Sequence, residues 1–400
     1  MTTKIFHSNM AGAPVLSGTA GAMIAILDAC LKDGFGLVTM DSLTVSGGVA
    51  TLSRSGGMTF EADAVVQLAG ITGTYSSLNG DRRLLSVGAS TATFDATGLP
   101  NGTAAGTITA KVSPLGWSKP FSGTNLAAYK ATDPTALGMY LRVDDSGTTA
   151  ARVVGYESMS DINTGTGLFP TASQQSGGGY WEKSGAAGST ARNWIVVGDE
   201  RTFYWWSVPN GTTAVTSQGV LRGFGDLIPR RSADAYAAFL GADVASVVTS
   251  GSAIIDLASA SGNPAGYYLS LPRSQSALGA SVLAWIYAES KRATTTQYKS
   301  GSPSGISLPY PNSSDNALDL DRALVLEGSD YSIRGQFPGL YHLPQAVGFA
   351  FSTWDKVSGQ GSLNGRKLLA VRVGSPGQVS QNAAGGSPGV VMFDITGPWR

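Results

Sequence analysis

Histidine and cysteine are almost missing from this chain. Two histidines, His7 and His342, and one cysteine, Cys30, occur in 400 residues. A single cysteine excludes an internal disulfide framework and a cysteine metal cluster. Its apolar neighbours, Ala29 and Leu31, suit a small buried filler better than a reactive thiol. The two histidines lie in unrelated contexts, without metal-ligand spacing to another histidine, cysteine or carboxylate pair. A Ser-His-Asp triad needs one of them, and no G-x-S-x-G elbow surrounds a serine near either. His342, in Tyr341-His342-Leu343-Pro344, reads as a hydrogen-bonded surface or interface residue.

Charge is also scarce. Charged residues make up 14 %, and 27 basic side chains balance 27 acidic ones. A neutral balance gives neither nucleic acid nor an anionic membrane a strong hold on the chain. It also leaves copies of the chain weakly repelled by one another, which favours self-association. No run of about 18 apolar residues is present, so no helical membrane span is expected. Met1-Thr2-Thr3-Lys4 leads into no apolar segment of the secretory type, so synthesis in a cytosol is expected.

What is abundant is glycine, 53 residues, with many Ser, Thr and Ala. That usage favours short strands and many turns over helices. Ser46-Gly47-Gly48 separates Leu43 and Val45 from Val49 and Leu52, a hairpin signal. Asn79-Gly80 separates the apolar run Ala64 to Ile71 from Leu84, Leu85 and Val87, a second one. Thr93-Phe94 and Thr107 to Ala110 add β-rich runs. Met139 to Val143 and Ala151 to Tyr156 flank the turn Asp144-Asp145-Ser146-Gly147. Trp194 to Gly198 and Thr202 to Trp206 flank Asp199-Glu200-Arg201 as a strongly apolar hairpin. Later strand pairs are Tyr267 to Leu271 with Ser281 to Tyr287, Leu324 to Leu326 with Tyr331 to Gly335, and Lys367 to Val373 with Val390 to Ile395. Gly374 to Gly389 reads as a mobile loop, and Ser232 to Leu240 as a short helix or loop. A buried Trp399 would pin the last residues. One helix is clear: Met23, Ile26, Leu27, Cys30 and Leu31 recur at three- and four-residue spacing, with Ser17 or Thr19 as cap and Asp33-Gly34 as the stop.

The expected fold is therefore mainly β: several β-sandwich or β-barrel modules with one short N-terminal helix. The divisions fall at 1–41 (arm and helix), 42–115 (a small β-module inserted after the helix), 116–245 and 246–400 (two β-rich domains).

Candidate chemistry is thin. Asp144-Asp145 and Asp199-Glu200 are carboxylate pairs of the kind glycoside hydrolysis uses, but they sit in expected turns, where Asp binds local backbone N–H groups. Asp319 and Asp321 would share a face and suit a cation, yet lack further acidic neighbours. Gly177-Gly178-Gly179 lacks the lysine of a phosphate loop. Pro229-Arg230-Arg231 is too short for a nucleic-acid footprint. Trp181, Trp205 and Trp206 are the candidate interface or glycan contacts, set against the commoner role of strand aromatics as core. No catalytic residue, metal site or cofactor is expected, and no enzyme activity.

Several segments resemble virion structural proteins of tailed bacteriophages and prophages. They include Thr3-Lys4-Ile5-Phe6-His7-Ser8, Gly12 to Gly21, Ile26 to Leu31 and Gly34-Phe35-Gly36. Further ones are Leu68 to Gly73 with Leu78-Asn79-Gly80, Gly116-Trp117, Phe121 to Asn125, Tyr140 to Asp145 and Gly155 to Met159. The likeness covers most of the first 210 residues. Its motifs belong to the scaffold, so no site residues transfer. It implies a component of the virion, put together in the host bacterial cytoplasm and repeated around a ring. A collar or neck position ranks first, with tail or baseplate next. The partners it implies are further copies of the chain and portal, neck or tail proteins, without direct contact to nucleic acid or membrane. A host-surface carbohydrate-binding module is the alternative, and a hydrolase the weakest reading.

Overall fold

Glycine pairs set the tight hairpins. Gly47 and Gly48 take φ of 57° and 78°, a conformation that L side chains resist, and they join the strand Ser42–Ser46 to Val49–Ser53. Leu43, Val45, Ala50 and Leu52 turn inward, while Thr44 and Ser46 face out. The computed structural model describes residues 2–210, 219–243, 269–288, 310–328, 332–343, 345, 347, 350–373 and 389–400. The protein is mainly β, with 48 % strand and 7 % helix in antiparallel sheets.

The inserted module is an eight-stranded sheet. It runs in the order Phe35–Thr39, Thr109–Val112, Val65–Ala69, Gly80–Val87, Thr91–Asp95, Val49–Ser53, Ser42–Ser46, Gly102–Thr103. Its first strand thus begins at Phe35, ahead of residue 42. The Asn79-Gly80 signal marks a longer connection than a tight hairpin. A 3-10 turn, Gly73–Leu78, intervenes, and the Asn79 side chain closes it by accepting from the Ile71 amide and donating to the Ile71 carbonyl. Beside it, Gly70 has φ of 81°, and a Cβ there would lie 2.0 Å from the Thr107 carbonyl oxygen. Gly70→Ala is expected to lower the unfolding free energy by about 1–3 kcal/mol, read from the urea midpoint.

The helix forms as its apolar stripe requires. Ala22–Leu27 is α-helical, Asp28–Asp33 continues as a wider π turn, and Gly34 stops it at φ 72°. Met23, Ile26, Leu27, Cys30 and Leu31 are all buried. The expected caps do not act. Ser17 and Thr19 bond each other, and the Met23 and Ile24 amides donate instead to the Asp145 carboxylate. A tertiary contact replaces the local cap because Asp145 is folded inward against this end of the helix.

Two further multi-stranded sheets complete the architecture, together with a two-stranded pair of Leu16–Gly18 and Gly188–Arg192. The smaller runs Ser118–Gly123, Leu126–Lys130, Tyr140–Asp144, Ala150–Met159, Gly165–Phe169, with Gly179–Glu182 pairing the first half of Ala150–Met159. The larger has 13 strands among the described residues. It begins with Lys4–His7, Trp194–Gly198, Thr202–Ser207, Val220–Asp226 and Ala238–Gly241. It continues through Leu269–Leu271, Val282–Ala288, Asp321–Glu327, Ile333–His342, Gly389–Asp394, Lys367–Val373 and Lys356–Ser358, with Ile228–Pro229 pairing Ile333–His342. This sheet crosses the division expected at 245/246, since Leu240 pairs with Ser270 and Gly241 with Leu269. Strands on the two sides therefore hydrogen-bond as one sheet. The segment from Ser232 begins in turns and ends as the strand Ala238–Gly241. The loop expected at Gly374 to Gly389 lies outside the described residues except for its last residue.

The strand Thr202–Ser207 shows how the parts share cores. Phe203 and Trp205 face a cluster with Met23, Phe94, Tyr129, Trp181, Trp194 and Phe224, under the helix, the module and the smaller sheet. Tyr204 and Trp206 face the opposite way, into a cluster with Ile5, Phe239, Phe337, Phe393 and Trp399 inside the folded-over large sheet. Aromatic side chains on both faces explain why this strand is buried along its whole length. Trp117 meets Phe203 edge-on at 5.2 Å and donates its indole N–H to the Asp199 carbonyl, joining the module's exit to this strand.

Candidate functional site

The first and last strands of the large sheet line one hollow of about 320 Å³, with Ile5 and His7 from one edge and Lys356 from the other. The module closes it with the segment Glu61, Ala62, Asp63 and Ala64. His7 is 7 % exposed. Its Nδ1 accepts from the Asn9 amide at 3.3 Å, so the ring proton sits on Nε2 and is donated to Glu61 Oε2 at 2.8 Å. The ring lies 4.3 Å from that of Trp354. Trp354 holds φ of 86°, a costly conformation for a bulky residue, and its amide donates to Ala370. Asp63, also at positive φ, accepts from Lys356 at 2.5 Å and Lys367 at 2.6 Å. Nearby, Lys4 bridges Asp81, Ser113 and Pro114, and Arg83 donates to the Thr3 carbonyl.

Charges at this seam are mutually neutralised. The bond from His7 holds the Glu61 carboxyl below its ordinary range, against a smaller opposing effect of burial. Burial pushes Asp63 up, but Lys356 and Lys367 outweigh it and hold the carboxyl low. A depressed carboxyl contributes stability above its ordinary pKa and loses it as pH falls through the lowered value. Glu61→Gln is therefore expected to flatten the fall in melting temperature between about pH 5 and pH 3. The check is a thermal-unfolding series on both proteins, in which the wild type loses more. In the folded protein both imidazole nitrogens of His7 are engaged, so the arrangement clamps the module across the sheet's two edges. No spacing in the sequence points to the site, because His7, Glu61 and Trp354 come from three distant segments.

The residues singled out from sequence are placed differently. Trp181 and Trp205 are fully buried and Trp206 is 1 % exposed. Trp181 donates to the Gly241 carbonyl and Trp206 to the Arg372 carbonyl. As glycan or interface contacts they are corrected: rings packed on Phe203 and Trp194 present no face to a sugar. Asp199 does bind its own turn, accepting from the Arg201 and Thr202 amides, and it also holds Arg400 at 2.6 Å. Glu200 accepts from the Thr2 amide. Asp144 accepts locally from Ser146, whereas Asp145 leaves the turn and is fully buried against Lys183. The surface position expected for His342 is corrected too. It is 2 % exposed, in a strand between Asp321 and Val391. Asp319 accepts from Asn312 at 3.3 Å, and Asp321 opens a strand. Among the described residues no group of three or more His, Cys, Asp or Glu is placed to hold a metal.

Other titratable groups pair inside the fold. Arg222 binds Glu182 with two bonds, Nε at 3.0 Å and Nη2 at 2.6 Å, and Asp243 at 3.2 Å. Arg334 binds Asp234 and Glu327, each at 3.0 Å. Arg201 holds Asp226 at 2.9 Å. No protein-family model matches the chain, and no curated protein matches its sequence.

Proposed function

We propose that this protein is a non-enzymatic structural component of a bacteriophage particle, present in several copies and joined through β-domain contacts. The observation that carries the reading is where the ionisable groups go. The histidine at the seam bonds Glu61, and the interior Lys183, Arg222 and Arg334 bond carboxylates from other segments of the chain. Such pairs fix one arrangement of the sheets and leave side chains to hold shape. The bacteriophage assignment itself rests on the resemblance of the first 210 residues.

Contacts between copies have a physical basis. The strand Phe35–Thr39 is one of the two edge strands of the module and exposes Leu37 at 67 %. An outer strand with an apolar side chain outward is open to pairing with another chain. Zero net charge offers little repulsion against a second copy. A collar or neck ring is the first placement, with tail or baseplate as the alternative. The partners are further copies and portal, neck or tail proteins in the virion, assembled in the host bacterial cytoplasm. Quantitative mass spectrometry of purified particles tests the reading. The chain is expected at several copies per particle, and its absence from particles of a phage that encodes it contradicts the proposal.

A further inference from the structure

We propose that Lys183 and Asp145 condense to an intramolecular isopeptide bond, a covalent tie within the smaller sheet. Asp145 follows directly on the strand Tyr140–Asp144, and Lys183 on Gly179–Glu182. Both strands pair with Ala150–Met159, one on each side of it, so the two residues leave the sheet at the same end and their side chains meet across that strand. Lys183 Nζ touches Asp145 Oδ1, and both side chains have no exposure to solvent. Among the described ion pairs, this one alone joins a lysine to a carboxylate with both fully buried. The pairs at Arg222 and Arg334 use guanidinium groups, which are poor nucleophiles.

The surroundings suit acyl transfer. Asp145 Oδ2 accepts from the Met23 amide at 2.7 Å and the Ile24 amide at 3.2 Å. Two backbone donors on one carboxyl oxygen stabilise the negative charge that grows there when Cγ is attacked. Nζ also donates to the Thr19 carbonyl at 2.7 Å, and the Lys183 amide donates to Thr149, so the side chain is held from both ends. A dry site favours an uncharged pair over two ions, and burial raises the Asp145 carboxyl despite Lys183 and the two amides. A proton moved from Nζ to the carboxylate leaves an amine against a carboxylic acid. Nζ then attacks Cγ, the new C–N bond forms, and the Cγ–Oδ1 bond breaks. Oδ1 leaves with the acid proton and one proton from Nζ, as water. Oδ2 stays as the amide oxygen and keeps both backbone donors. No oxidant or further reactant is required, and fixed proximity lowers the barrier.

Intact mass under denaturing conditions decides the matter. The wild-type chain, purified in folded form, is expected to weigh one water less than its sequence. Trypsin is expected to leave the bond after Lys183 uncut, with peptide 153–192 joined to 143–152. Lys183→Arg, which keeps the cation but is a poor nucleophile, is expected at full sequence mass. The wild-type measurement stands even if that variant does not fold. A folded wild-type chain at full mass, cut normally after Lys183, overturns the proposal.

Discussion

Arg222→Met is expected to lower the unfolding free energy by about 3–5 kcal/mol, or to prevent folding at 37 °C. Arg222 lies on a central strand with no exposure, and its guanidinium binds two carboxylates, Glu182 and Asp243. Methionine fills a similar volume but removes the cation that both buried carboxylates share. Burial already pushes the Glu182 carboxyl up, with Arg222 opposing it. Without the arginine, folding draws protons onto this pair, so the variant loses stability as pH rises from acid towards neutral. Urea unfolding at about pH 5 and pH 7.5 reads this directly, with the larger deficit at the higher pH. Adding Glu182→Gln and Asp243→Asn is expected to restore much of the loss and to abolish the added pH slope. A single variant within about 0.5 kcal/mol of wild type at both pH values would mean that water reaches the site.

Trp399→Ala is expected to cost a further class of contact, about 3–5 kcal/mol. The indole is 7 % exposed, lies 5.9 Å from the Tyr204 ring and donates to the Asp394 carbonyl at 2.7 Å. It rests on Gly339, where a Cβ would come within 2.1 Å of the ring. The next residue, Arg400, reaches Asp199 and Thr202 with bonds of 2.6 Å. Loss of the ring thus opens the core inside the large sheet and loosens the arginine clasp beside it. Calorimetry is expected to give a clear drop in melting temperature for Trp399→Ala and a smaller one for Trp399→Phe. Equal melting temperatures for Trp399→Ala and wild type would show that this segment does not seal the core.

Local signals made the strand pairs legible. Leu43 and Val45 alternate with polar residues across Gly47-Gly48, and the aromatic run after Asp199-Glu200-Arg201 folds back on Trp194 to Gly198 as its turn requires. The continuity of the large sheet was not legible. Phe203 to Trp206 are apolar on both faces, so their pattern does not say which sheet or core receives each ring. The role of Asp145 was hidden for a related reason. Asp-Asp-Ser-Gly reads as an exposed turn, and nothing local tells that the second carboxylate is held by Lys183 and the helix amides. The clamp at His7 depends on three segments brought together only by the closure of the sheet.

We propose that the molecule acts through shape and repeated contact. A reconstruction of the intact particle tests it most directly. Copies of this fold are expected around a symmetry axis, with the edge strand Phe35–Thr39 against a neighbouring chain. A reconstruction that accounts for every ordered protein in the particle without this fold would contradict it.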